Sequence, residues 1–136
     1  MSTKAPRTFI SFDYDNNHGH KVLFAGQAKN SKTPFEIADW SSKSELPQAT
    51  WEAQISNKIS QCDIMIVLVG KSAGSAIGVH KEIAMAQKHG IPYFGVYVDG
   101  AGTSSTLPKG LVPGRVTTWE WGNIASAIAQ VVKEGK

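Results

Sequence analysis

Five sets of side chains in this sequence are of a kind that can do chemistry: a pair of aspartates, a Gly-Lys-Ser triplet, four histidines, a single cysteine and one glutamate amid apolar residues. Asp13 and Asp15 stand two apart in FDYDN, directly after an apolar run. Paired carboxylates there suit a metal-dependent phospho-receiver, but they suit loop solvation or helix capping equally. A receiver also needs an aspartate at the end of its third strand. Here that position reads Val69-Gly70-Lys71, and a cation in place of the acceptor carboxylate argues against phosphoryl chemistry.

Gly70-Lys71-Ser72 matches the end of a phosphate-binding loop, but that motif requires a glycine five positions before Gly70, where Met65 stands. Without that glycine there is no nest of N–H groups to wrap a phosphate. Gly70, Gly74 and Gly78 do not form GxGxxG either, although the start of the helix after them can favour an anion. His18, His20, His80 and His89 have no cysteine or carboxylate at zinc-ligand spacing, so they read as surface or packing residues and no metal is expected. There is no GxSxG elbow. Cys62 opens an apolar run and reads as core.

Glu82 lies three residues after Val79 and one before Ile83, at the border of a helix's apolar face. A carboxylate edging a cleft is partly desolvated, which raises its pKa and suits it to orient or polarise a ligand. The alternative is a solvent-facing helical glutamate pairing with Lys81 or Lys88.

The elements that must position these groups follow from hydrophobic periodicity. Thr8 to Phe12 is a β-branched and aromatic run that predicts a first strand. A helix-compatible segment runs from about His20 to Lys29. Phe35 to Trp40 alternates as a half-buried or edge strand does. Pro47 can open a helix whose Trp51, Ile55 and Ile59 recur every four residues. Asp63 to Val69 is apolar on both faces, as a central strand between helix layers must be. The next helix, about Ala76 to His89, carries Ala76, Val79, Ile83 and Ala86, with Gly90 placed to cap it. Ile91 to Val98 predicts another central strand, with Pro92 near its start. The stretch 99–114 is rich in Gly, Ser, Thr and Pro and is expected as a surface loop. A short fifth strand, Val116 to Trp119, precedes a closing helix with Ile124, Ile128 and Val131 on its core face.

Strands alternating with helices imply right-handed crossovers and a parallel sheet. The expectation is therefore α/β: a flavodoxin-like, doubly wound sheet of five parallel strands in the order 2-1-3-4-5. Residues 1–136 form one domain, with 1–6 as a flexible lead-in. Such folds bind ligands at the carboxyl ends of their strands, near the switch between strands 1 and 3. That rule draws attention to DYDNN, to WSSKSE and to GKSAGSA, which contain Asp13, Tyr14 and Asp15, Trp40 and Ser41, and Lys71 and Ser72.

The bulk properties narrow the class. One cysteine in 136 residues excludes an intramolecular disulfide framework and fits a reducing compartment. The start MSTKAPRTFI lacks a signal peptide's apolar region, and no apolar stretch approaches the roughly 20 residues that span a bilayer. A cytoplasmic location is expected, away from membranes. The net charge of +3 is spread over scattered lysines, without the concentrated basic stripe that nucleic acid requires.

Together TFISFDYDN, the helix followed by CDIMIVLVGKS, and SAIGVHKEIAMAQKHGIPYFGVYV resemble a TIR-like domain, of the compact branch found in archaea and bacteria and in Thoeris antiviral systems. The resemblance spans about Arg7 to Asp99. It implies a NAD⁺ glycohydrolase or ADP-ribosyl cyclase in which Glu82 falls at the position of the catalytic glutamate. NAD⁺ would be the substrate, and no cofactor is implied. Phe12, Asp13, Tyr14 and Asp15 would lie against the nicotinamide and its ribose, and Trp40 and Ser41 would belong to the loop that shapes the site. Lys71 and Ser72, at the end of the third strand, complete the substrate-binding candidates. The family pattern often carries Trp four residues before its glutamate, where this chain has Gly78. Self-association and a separate effector protein follow from the same resemblance. A non-catalytic interaction module is the alternative it leaves open, and a flavin or nucleotide carrier of flavodoxin-like fold is a third reading.

Overall fold

The computed structural model describes residues 7–12, 36–40, 48–70, 77–98, 107–108, 110–111, 113–118 and 120–134. Strand β1 is Arg7–Ser11, β2 Glu36–Trp40, β3 Ile64–Val69, β4 Tyr93–Tyr97 and β5 Val116–Thr117. Helices α1 (Gln48–Ser60), α2 (Ile77–His89) and α3 (Trp121–Glu134) alternate with them, and a 3₁₀ turn at Pro113–Arg115 leads into β5. The strands lie in the order β2-β1-β3-β4-β5, and each neighbouring pair is parallel. The α/β, parallel-sheet expectation is met. The helix expected over about His20 to Lys29 lies outside the described residues.

β3 is the centre of the molecule. All six of its residues are fully buried, and they alternate between two cores. Ile64, Ile66 and Leu68 join Ile10, Phe12, Phe94, Val96, Val98, Ile124 and Ile128, the core under α3. Met65, Val67 and Val69 join Phe9 and the buried faces of α1 and α2. This is the period-2 alternation of a strand covered on both sides. Each fully buried Ile, Leu or Val contributes about 1.5–3 kcal/mol by leaving water.

The helices bury the described members of the stripes that their spacing predicts, Ala76 and the side chain of Val131 lying outside the described residues. Trp51, Ile55 and Ile59 of α1 are buried, as are Val79, Ile83 and Ala86 of α2 and Ile124 and Ile128 of α3. Cys62 is buried too, and its Sγ–H donates to the Lys58 carbonyl at 3.4 Å. The end of α2 is closed by a Schellman motif. Ile91 N–H donates to the Ala86 carbonyl at 2.8 Å and Gly90 N–H to that of Gln87 at 3.2 Å, with Gly90 at φ 68°.

Beyond shifts of a single residue, three expectations are revised, each for a local reason. The fourth strand starts at Tyr93 rather than Ile91, because the Ile91 N–H is spent on the helix cap and Pro92 has none to give. β5 stops at Thr117, because the chain turns there: Glu120 N–H donates to the Thr118 carbonyl, and Asn123 Nδ2 donates to both Thr118 Oγ1 and Glu120 Oε2. The 99–114 segment is not wholly a surface excursion. Leu111 is 6% exposed and Leu107 packs against the same core. Room for Leu111 depends on Gly95, where an added Cβ would sit 2.9 Å from Leu111 Cδ2 and 3.0 Å from Val69 Cγ2.

Among the described residues, no helix is long and apolar enough to cross a membrane.

Candidate functional site

β1 runs between β2 and β3, so its carboxyl end sits where the chain's crossovers switch direction. Within β1, alternation sends Ile10 and Phe12 towards α3, and Phe9 and Ser11 towards α1 and α2. A parallel register sets Ser11 beside Val67. Its hydroxyl therefore points into the layer between the sheet and α2, at full burial.

Glu82 enters the same layer from the other side. It is one residue before Ile83 and three after Val79, and the packing of α2 on the sheet takes it inside with them, to 1% exposure. Ser11 Oγ donates to Glu82 Oε1 at 2.7 Å, joining residues 71 apart in the chain. That length is in the range of a charge-assisted hydrogen bond. A buried carboxylate is costly without such donors, and each bond to a charged group contributes about 1.5–3 kcal/mol. The surface-glutamate alternative is excluded by this burial. Lys81 points elsewhere, its Nζ 3.8 Å from Glu52 Oε1 of α1 in a half-exposed pair.

Gly78 lies one helical turn before Glu82. A Cβ there would stand 3.9 Å from Cη2 of Trp51, so the edge of an α1 indole abuts α2 at the glycine. The first turns of α1 and α2 thus meet one helical turn before Glu82.

The remaining candidates fall into two groups. Phe12 is 2% exposed and packs in the core under α3, on the opposite face of the sheet from Ser11 and Glu82. Trp40 ends β2, in register with Ile10. Its side chain, with Asp13, Tyr14, Asp15, Ser41, Lys71 and Ser72, lies outside the described residues. What the described backbone does show is that β1, β2 and β3 all end at one edge of the sheet, at Ser11, Trp40 and Val69, the points from which these segments depart.

Ser11 was absent from the sequence-derived candidates. Its signal was the alternation of TFISF, which puts a hydroxyl on the Phe9 face of a strand flanked by apolar residues. A buried hydroxyl needs a partner, and a carboxylate at the edge of an apolar helix face is a natural one. Elsewhere, His89 Nε2 lies 2.8 Å from Ser56 Oγ at an exposed position. No group of three or more His, Cys, Asp or Glu side chains that could hold a metal ion occurs among the described residues.

Chemically, the arrangement is a carboxylate shielded from water, aimed by a hydroxyl and placed beside the carboxyl edge of a parallel sheet. Such a group can stabilise a developing positive charge or accept hydrogen bonds from a ligand's hydroxyls.

The family model of the Thoeris protein ThsB, TIR-like domain, matches residues 9–103. The matched stretch begins in β1, passes the end of β4 and contains both Ser11 and Glu82. No curated protein matches the chain.

Proposed function

Because the chain belongs to the TIR-like domain family of Thoeris protein ThsB, we propose that it serves antiviral defence by cleaving NAD⁺ at the bond between nicotinamide and ribose. The observation that carries this reading is Glu82, buried on α2 and bonded at 2.7 Å to Ser11 at the end of β1. NAD⁺ is the substrate and no separate cofactor is invoked.

In the proposed reaction the C1′–N bond breaks and its electron pair leaves with neutral nicotinamide. Positive charge then spreads over ribose C1′ and its ring oxygen, as in an oxocarbenium ion. A carboxylate held close in a water-poor layer stabilises that charge more than it stabilises the ground state, which lowers the barrier. Water attacking C1′ gives ADP-ribose and a proton. Attack by the adenine of the same molecule gives a cyclic product, with no water consumed.

Asp13, Tyr14, Asp15, Trp40, Ser41, Lys71 and Ser72 are the proposed substrate contacts, since their segments leave the same edge of the sheet. Phe12 supports β1 from beneath in this reading, because its ring is in the core under α3. A cytoplasmic location, self-association and a separate effector that receives the product complete the proposal.

A second reading, a non-catalytic interaction module, is favoured by Gly78, because the catalytic pattern that the chain resembles would place tryptophan there. One assay separates the two. Nicotinamide release from NAD⁺ is measured at high protein concentration with a crowding agent, beside Glu82→Gln, with products weighed by mass spectrometry. Release that is lost in the variant supports the enzyme, and the product mass separates hydrolysis from cyclisation. Assembled protein that releases none supports the interaction module.

A further inference from the structure

Buried polar side chains are few among the described residues. They are Thr8, Ser11 and Glu82, and two of the three meet each other. Strand alternation turns Thr8 to the same side as Ile10 and Phe12, away from α2. Ser11 thus carries, among the described residues, the fully buried strand hydroxyl on Glu82's side of the sheet.

The two partners differ in stiffness. Ser11 has one side-chain torsion to its oxygen and hangs from a strand paired on both sides, in register with Val67 of β3. Its hydroxyl is therefore placed by the sheet itself. Glu82 has three torsions and approaches from a helix. Left alone, its carboxylate would sample several rotamers across the layer. The 2.7 Å bond to Oε1 selects one of them. With Oε1 anchored at the strand, the range of directions open to Oε2 is narrowed.

We propose that Ser11 is a positioning residue that holds the Glu82 carboxylate in its reactive orientation at the carboxyl end of β1. This rests on the reading of Glu82 as the carboxylate that assists NAD⁺ cleavage. Ser11 itself touches neither the breaking bond nor the substrate. Its effect on turnover passes through Glu82, because a misdirected carboxylate loses its grip on the charge that develops in the transition state.

The test compares wild type with Ser11→Ala, Ser11→Thr, Glu82→Gln and the double variant Ser11→Ala/Glu82→Gln, each first shown to be folded by circular dichroism. Ser11→Ala is expected to lower kcat by roughly 10–100-fold while KM stays within about twofold, the size of one lost bond to a charged group. Ser11→Thr keeps the hydroxyl and is expected to recover most of kcat, a rescue that a purely structural role would not show. In the Glu82→Gln background Ser11→Ala is expected to cost nothing further, because the group it orients is gone.

An unchanged kcat in Ser11→Ala, beside a dead Glu82→Gln, overturns the proposal and leaves the NAD⁺ reading standing. Equal release by wild type and Glu82→Gln, or none by either, counts against the NAD⁺ reading instead. The orientation claim is then read without turnover, from the ¹³C shift of the Glu82 carboxyl carbon during a pH titration. Loss of the Ser11 donor is expected to move its midpoint upward by about one pH unit or more. A midpoint that does not move overturns the proposal.

Discussion

Two of the side-chain hydrogen-bonded contacts that tie helix α2 to the rest of the fold are built for opposite environments. Midway along the helix, Glu82 meets Ser11 in the dry layer above β1. In its last turn, Gln87 Nε2 donates to Tyr93 Oη at 2.8 Å, and Tyr93 Oη donates to the Gly110 carbonyl at 2.6 Å, both at exposed positions. The bond lengths are alike, but the consequences of losing them are not. At the exposed tether water replaces any lost partner, so the net value of each bond is small. In the buried pair no bulk water takes the donor's place, and the carboxylate bears more of its desolvation cost. The lesson is that burial, more than bond length, decides which polar contact the fold depends on and which one function can exploit.

The comparison is sharpened most by activity. Glu82→Gln keeps the shape of the side chain but removes its charge, and nicotinamide release is expected to fall by about 100-fold or more. Tyr93→Phe at the exposed tether is expected to leave release unchanged in the same assay. Equal losses from both would break the distinction between the two regions.

Stability comes next. Ser11→Ala is expected to cost about 1–3 kcal/mol, read as a shift in the urea midpoint at constant slope. Gly110→Ala should cost a similar amount, about 1–3 kcal/mol, for a different reason. Gly110 sits at φ 97°, and an added Cβ would come within 2.7 Å of Ile83 Cγ2. That result would show that the solvated region depends on backbone shape at Gly110 more than on its hydrogen bonds. Tyr93→Phe is smaller, about 0.5 kcal/mol, since the Gly110 carbonyl and Gln87 turn to water. The smallest effect is expected from Lys81→Ala. Its pair with Glu52 spans 3.8 Å with both side chains more than a third exposed, so thermal unfolding should move little, and less still in high salt.

Much of the fold was legible because periodicity is a local property. IMIVLV could be read as a doubly covered strand, and Trp51, Ile55 and Ile59 as one face of a helix, because neighbours in sequence decide both patterns. Gly90 could be read as a cap for the same reason, and the Schellman bonds of Gly90 and Ile91 are local contacts. Boundaries were less legible where backbone groups had two possible partners. The Ile91 N–H is spent on Ala86 rather than on the sheet, and only the folded helix end makes that choice visible.

The candidate site divides along the same line. By itself the sequence determined that Glu82 lies at the border of an apolar helix face, that its helix follows the central strand, and that the segments after β1, β2 and β3 leave one edge of the sheet. Only the tertiary structure decided that the border position is inside rather than outside. It also brought Ser11 to Glu82 across 71 residues, and turned Phe12 to the far face beside α3. The physical reason is that amphipathic periodicity gives a residue's angle around its own helix or strand, whereas burial and partnership depend on how two elements pack. That packing is the sum of many contacts distant in sequence.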